Sequence, residues 1–421
     1  MQNLLAALRD GSWLTRERIR LVALACLILS AVALSAIIGT AKGLTDYRGR
    51  PVGTDFASFY AAGTLILDGE GAAPFDPARQ HAREKAIFGP DTEFYAWQYP
   101  PFFLLVAAAL ALVPYGVALA VWQAGTFALY LFSIAAVIRS TAPGRPLDRL
   151  AILLAAAYPA VFVNAGHGQN GFLSAALLGL ALAFLRPRPV LAGVFFGLMA
   201  YKPQLGLVIP FALAAGGWWR TIAAAIATVA ALAVVATAVF GIDIWQAFLA
   251  STAFTRAALL EAGGPGYEKI QSIFAVIRLW GGSVPLAYGI QGAASLVVLV
   301  LAIRLWRGNA RYPLKAAGLA LATLLASPFS LDYDLMVLAP AIAYLAMNGL
   351  RHGFAPWEAT ALAGLWLVPL IARAVAGAIL VPLGPIAMIA SFALLVRRTE
   401  GVAGGTTRPR IESGDATRQP I

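Results

Sequence analysis

Only 12% of the 421 residues are charged, against about 25% in an ordinary soluble domain. A chain so short of charge cannot cover a water-facing surface. Cysteine is almost missing as well. Cys26 stands alone, which excludes a disulfide framework and a cysteine metal site. The apolar residues do not alternate with period two, as the strands of a membrane barrel would. No clear internal repeat is present, and many transporters have one. No second carboxylate stands next to Asp55 in an Asp-x-Asp arrangement, so no metal is supported and no cofactor is expected.

Hydrophobic residues make up 60% of the chain, in blocks of about 15–22, and roughly 20 apolar residues cross a ~30 Å hydrocarbon core. Helices and closed barrels are the structures that cross lipid. The fold class is therefore all-α: a polytopic integral membrane protein with about twelve spans, near 19–40, 115–138, 149–165, 171–186, 189–201, 203–217, 221–240, 285–306, 313–327, 333–349, 357–372 and 378–396. The first run, Ile19 to about Thr40, is too long for a signal-peptide core and reads as a retained span. The net charge of +11 does not point to nucleic acid, because the basic residues lie between apolar blocks rather than on one face.

Charge sets the expected orientation. With the N-terminus inside, 20 of the 31 basic residues fall on the cytoplasmic side, as the positive-inside rule requires. Loops at about 41–98 and 241–284 then lie outside, and the first holds 8 of the 20 acidic residues. The run 100–113 reads as a short re-entrant or surface helix stopped at Val113-Pro114. Residues 401–421 read as a disordered cytoplasmic tail behind one membrane domain, 1–400.

The first outer loop opens on Thr54-Asp55-Phe56. Phe56, Phe59, Tyr60, Gly63 and Leu67 share a helical face, which suits a helix lying on the membrane surface. Asp55 is either the N-cap of that helix or a general base for a hydroxyl at the membrane face, and the two are compatible. Residues 77–88 form a second short helix, its charges read as a solvated face. The cluster Tyr95-Ala96-Trp97-Gln98-Tyr99 is an interfacial belt or a platform for a sugar ring. Asn164-Ala165-Gly166-His167-Gly168-Gln169-Asn170 is a polar turn or a ligand site, since glycine admits close approach and Gln and Asn both donate and accept. Lys202 lies between apolar runs beside Pro203. A lysine so placed snorkels to the interface or faces a partner or cavity, and beside a broken helix it suits a lipid phosphate. Gln271 and Arg278 in the second loop, and Asp332 and Tyr333 after Ser327-Pro328, complete the candidates. Asp332 alone could be a cap, and Arg278 an interface anchor.

Taken in order, Thr54-Asp55-Phe56, Tyr99-Pro100-Pro101, Gly168-Gln169-Asn170, Lys202-Pro203 and Ser327-Pro328 make the chain resemble glycosyltransferase family 87 over roughly residues 50–350. That family comprises polyprenyl-phosphate-mannose-dependent mannosyltransferases. The resemblance implies a GT-C membrane fold, a sugar donor on a polyprenyl phosphate and a glycolipid or glycan acceptor. Asp55 falls on the family's catalytic aspartate, and Lys202, Gln169 and Asn170 on positions lining the donor pocket. Relatives carry Trp and His after the Ser-Pro motif, whereas this chain has Leu331 and Tyr333 and no imidazole there. The expected activity is a single inverting displacement with Asp55 as base and Lys202, with Arg278, at the phosphate. The rival readings are a transporter or flippase of lipid-linked saccharides, or a noncatalytic assembly subunit.

Overall fold

The computed structural model describes residues 2–144 and 146–404. It is helical throughout, with isolated bridges at Lys42–Thr45, Thr45–Pro51 and Ile270–Leu331 and no sheet among the described residues. The N-terminal part runs α1 (Gln2–Asp10), α2 (Arg16–Gly39), α3 (Phe56–Leu67), α4 (Pro77–Phe88), α5 (Leu104–Ala111) and α6 (Tyr115–Thr141). Next come α7 (Arg149–Ala156), α8 (Pro159–His167), α9 (Gly171–Phe184), α10 (Pro189–Leu198), α11 (Ile209–Ala215) and α12 (Trp219–Phe240). The last part comprises α13 (Asp243–Phe254), α14 (Ile273–Leu279), α15 (Val284–Arg307), α16 (Tyr312–Ala326), α17 (Leu338–His352), α18 (Glu358–Ile379) and α19 (Leu383–Gly404). The expected tail begins inside α19, and its residues 405–421 lie outside the described residues.

Among the described residues, six helical stretches are long and apolar enough to cross a membrane: α2, α6, α12, α15, Asp332–His352 and α18. Helices α7 and α8 make a seventh if their 43° bend counts as one broken span. The bend falls at Tyr158-Pro159, where proline lacks the N–H that would continue the ladder. Each of the twelve expected segments is helical, but several are too short for the span count read from the sequence. At 1.5 Å per residue, the 14 residues of α9 reach about 21 Å. Helices α9 and α16 are buried nearly all round, which marks the centre of the bundle. In α2 and α12, by contrast, almost every residue lies open to the surroundings. Short helices survive at membrane depth where protein covers them.

The first long loop is more deeply embedded than its amphipathic pattern suggested. Phe56, Ala57, Ser58, Phe59, Ala61, Ala62, Gly63 and Leu65 of α3 are all buried, so α3 is not a helix resting on a surface. Phe59 is the hub of an aromatic cluster with Trp97, Tyr99, Phe103 and Trp122. The Tyr95–Tyr99 aromatics thus join the core through Trp97 and Tyr99 instead of forming a belt. Nor is α4 purely a solvated face. Its Gln80 and Glu84 are buried, and the Gln80 amide donates to the Ser58 carbonyl (3.1 Å) and to Glu84 (3.1 Å). Glu84 in turn accepts the Tyr95 N–H (3.0 Å). Burial pushes the Glu84 carboxyl up to about 8 against the lowering effect of those two donors.

Long-range contacts sort the connections into two ends. At one, Arg16 pairs with Asp148, Arg351 donates to the Thr141 carbonyl, Arg398 pairs with Glu358, and the Trp357 N–H donates to the Arg9 carbonyl. At the other, the loop after α2, the α8–α9 turn, the 199–206 break and the 255–282 segment meet residues 327–337. In a variant lacking Cys26, cysteines placed singly at the exposed positions Lys85 and Ala262 should react with a membrane-impermeant maleimide from one side, and a cysteine at exposed Asn309 from the other. Reaction of Asn309→Cys together with Lys85→Cys in sealed vesicles would overturn this division.

Candidate active site

Asp55 occupies the N-cap position of α3, yet its side chain makes no capping bond. The free N–H groups of the first turn are met by backbone instead, with Phe56 bonded to Gly53 and Ala57 to Thr54. The carboxylate turns toward the α8–α9 connection. Its Oδ2 accepts from Gln169 Nε2 at 3.2 Å, and its Oδ1 lies 3.7 Å from His167 Nδ1. His167 Nδ1 is also 2.8 Å from the Thr54 hydroxyl. Asp55 keeps a quarter of its side chain exposed.

Two glycines allow this meeting. Gly168 ends α8 with φ +63, a conformation glycine adopts without strain. A Cβ there would lie 2.6 Å from Phe56 Cβ and 2.9 Å from the Gly53 carbonyl. At Gly171 a Cβ would lie 2.5 Å from the Tyr333 carbonyl and 2.6 Å from Asn164 Oδ1. Three stretches distant in sequence therefore touch at backbone level.

Gln169 connects them. Its Oε1 accepts from the Asn170 N–H (3.0 Å) and the Tyr99 hydroxyl (3.2 Å); its Nε2 donates to Asp55 and to the Tyr333 hydroxyl (3.2 Å). Tyr333 accepts that bond, so its own O–H is free to donate elsewhere. The Asn170 side chain is fully buried, with no partner for either amide atom among the described residues, while its carbonyl accepts from Tyr201.

Lys202 follows a 3₁₀ turn, Met199–Tyr201, and precedes Pro203. The expectation of an ammonium open to a lipid phosphate meets a different arrangement. Lys202 is buried, and Nζ lies 2.5 Å from Asp334 Oδ1 and 5.0 Å from the centre of the Tyr333 ring. Asp334 Oδ2 also accepts the Leu331 N–H (2.9 Å) and so shapes the turn that carries Asp332 and Tyr333. Asp332 is buried; its Oδ1 accepts the adjacent Tyr333 N–H (2.9 Å), and its Oδ2 lies 3.9 Å from Arg373.

The other candidates stand back from Asp55. The Gln271 side chain donates to the carbonyls of Glu268 (3.1 Å) and Lys269 (3.4 Å), and its N–H to Ser330 (2.6 Å). Arg278 donates to the Tyr267 hydroxyl and to the carbonyls of Gly282 and Glu261. Both hold the second long loop in shape. Two further cations lie near these carboxylates: Lys269, at the head of the segment that carries Gln271, and Arg373, which sequence reasoning passed over. Lys269 acts on Asp55 electrostatically, and Arg373 faces Asp332. The signal for Arg373 was an arginine in an otherwise apolar run.

Burial alone would raise the Asp55 carboxyl. The hydrogen bond and charge of His167, the charge of Lys269 and the Gln169 bond outweigh it and hold the group below the ordinary carboxylate value. Asp55 is thus an ionised acceptor at neutral pH. Among the described residues, no three His, Cys, Asp or Glu side chains are arranged to hold a metal ion. A cavity of about 460 Å³ between α10 and α12, lined by Val190, Val194, Ala224 and Leu232 among others, is apolar and includes none of these polar groups.

The chain is an all-α polytopic membrane protein that holds a partly exposed carboxylate, Asp55, among hydrogen-bond donors. Residues 97–328 match glycosyltransferase family 87, and the chain belongs to that family. The match spans Tyr99, Gln169 and Lys202; Asp55, Asp332 and Arg373 lie beyond its ends. No curated protein and no solved structure matches the chain.

Removing one half of a buried ion pair leaves the other charge uncompensated, at a cost of about 3–5 kcal/mol. Lys202→Met should therefore lower the melting temperature in detergent, and Lys202→Met with Asp334→Leu should recover much of the loss. Equal melting temperatures for the single variant and the wild type would show that the pair does not form.

Proposed function

We propose that this protein transfers a hexose, with mannose the sugar its family implies, from a polyprenyl-phosphate carrier to a hydroxyl of a glycolipid or glycan. On this reading residues 1–400 form one GT-C-type membrane domain of about twelve helices, several of them short and covered by their neighbours. Both termini are cytoplasmic, and the site lies on the extracytoplasmic face of the cell membrane. The single supporting observation is the geometry of Asp55: a partly exposed carboxylate tied at Oδ2 by Gln169, with His167 Nδ1 3.7 Å from Oδ1.

The step is one displacement. The acceptor oxygen forms a bond to the anomeric carbon and its proton passes to Asp55. The bond from that carbon to the phosphate oxygen breaks, and the carrier phosphate leaves with the electron pair. The anomeric centre inverts. A phosphate leaves already charged, so no second acid is required. Gln169 positions the base, and the free O–H of Tyr333 reaches a substrate oxygen. Lys202, through Asp334, holds the turn bearing Tyr333. Gln271 and Arg278 keep the second loop closed over the site.

Asp55→Asn retains size but removes the charge, and no capping bond is at stake, since the Asp55 side chain makes none. Sugar transfer from polyprenyl-phosphomannose in detergent should fall about 10²–10⁴-fold, the usual worth of a general base, with melting temperature and donor binding nearly unchanged. The active form is the ionised carboxylate, so the wild-type rate should hold above the lowered pKa and fall as pH drops through it, below the ordinary Asp value of about 3.9. A near-wild-type rate in Asp55→Asn would move the base to Asp332. Absence of transfer from any lipid-linked sugar, with movement of that lipid across vesicles, would favour a flippase.

A further inference from the structure

The Lys202–Asp334 pair removes the cation that its sequence position offered to the carrier phosphate, and two others converge nearby. Ile270 pairs with Leu331 in an antiparallel bridge, and Gln271 N donates to Ser330 O at 2.6 Å. In that register Lys269 stands opposite Asp332. Arg373 approaches Asp332 from α18, its NH1 3.9 Å from Oδ2, beyond hydrogen-bond range. Loop and helix are fastened to each other around this point. Glu268 lies against Gly377, one helical turn past Arg373, and the Trp280 indole donates to the Leu380 carbonyl at 2.8 Å.

Both cations have capacity left over. Arg373 carries five N–H donors and makes no hydrogen bond among the described residues, and the Lys269 ammonium makes none and no ion pair. Arg373 is 47% exposed and sits on an apolar span beside Leu370 and Ile371, both open to the surroundings. An arginine within a span costs about 2.5–3.5 kcal/mol on insertion scales and marks a partner or pathway. Asp332 faces two cations, Arg373 across 3.9 Å and Lys269 across the bridge, so neither has a carboxylate to itself. The guanidinium fork suits two oxygens of a phosphate.

We propose that Arg373 and Lys269, set against Asp332, form the phosphate subsite for the lipid carrier, which reaches it laterally from the bilayer past Leu370 and Ile371. This rests on the donor class proposed above, and it assigns the leaving-group contact to residues other than Lys202. The shared chemistry is a phosphate anion, carried by a polyprenyl chain, by an ordinary lipid headgroup or by free phosphate.

The test is equilibrium binding to the purified full chain in detergent by native mass spectrometry. The probes are a long-chain polyprenyl monophosphate, the matching polyprenol, phosphatidic acid and inorganic phosphate. Arg373→Gln and Lys269→Met should each weaken polyprenyl-phosphate binding by about 10- to 100-fold, the worth of a hydrogen bond to a charged group, and leave polyprenol binding unchanged. Arg373→Lys, which preserves the charge and is compatible with folding, should retain part of the affinity. The subsite is refuted by wild-type affinity in both neutral variants, or by equal loss of phosphate and polyprenol. Phosphatidic acid or inorganic phosphate binding as well as polyprenyl phosphate would also refute it. Arg373-dependent binding in a protein that transfers no sugar would support the subsite while ending the transferase reading.

Discussion

The backbone N–H of Asn170 donates to Oε1 of Gln169, and that bond decides which way the carboxamide faces. Oε1 turned to a donor leaves Nε2 to face Asp55 and Tyr333. Flipped, the amide would set an oxygen against a carboxylate and an N–H₂ against an N–H. The orientation of Asp55, the unused hydrogen of Tyr333 and the placement of Tyr99 all follow from it. The bond depends in turn on glycine at 168 and 171, because a side chain at either would drive Phe56 or Tyr333 away. A local backbone constraint is thereby converted into the geometry of a site drawn from three distant parts of the chain.

Around this polar group the protein supplies an unusually apolar frame. Buried polar side chains are costly unless they are bonded, and most here are arranged in closed circuits: Lys202 with Asp334 and the Leu331 N–H, Gln80 with Glu84 and the Tyr95 N–H, Arg278 with the second loop. Others stay partly unpartnered among the described residues: both amide atoms of Asn170 and of Asn348, and Oε1 of Gln80.

Helical segments, their order and the two long loops were legible in the sequence, because each helix in lipid is written as a continuous apolar run. Span number was not. The apolar runs of α9 and α16 read the same whether lipid or protein surrounds them, and tertiary packing alone separates a buried 14-residue helix from a short crossing. The same ambiguity hid the depth of α3, where a stripe of Phe56 and Phe59 fits a membrane surface as well as an aromatic core. At the site, residues flagged by glycine or by a charge in an apolar setting could be found: Asp55, His167, Gln169, Lys202 and Tyr333. Partnership could not. Nothing local to Lys202 announces Asp334, which lies 132 residues away, and Lys269 gains its meaning only from the bridge that sets it opposite Asp332.

The distribution of charge makes functional sense as a separation of tasks. On the proposed reading the base stays ionised without pairing with the cations assigned to the leaving phosphate. Asp55 is held by the hydrogen bond and charge of His167, the charge of Lys269 and the neutral Gln169 amide at 3.2 Å, with no lysine or arginine ion pair among the described residues. Lys202, the most buried cation near it, is balanced by Asp334 and exerts little net field. That leaves Lys269 and Arg373 beside Asp332 as the positive end of the site. On the proposed reading, proton acceptance at Asp55 and phosphate departure beside Asp332 call for opposite potentials within one low-dielectric site, and pairing Lys202 with Asp334 keeps that intervening charge from levelling them.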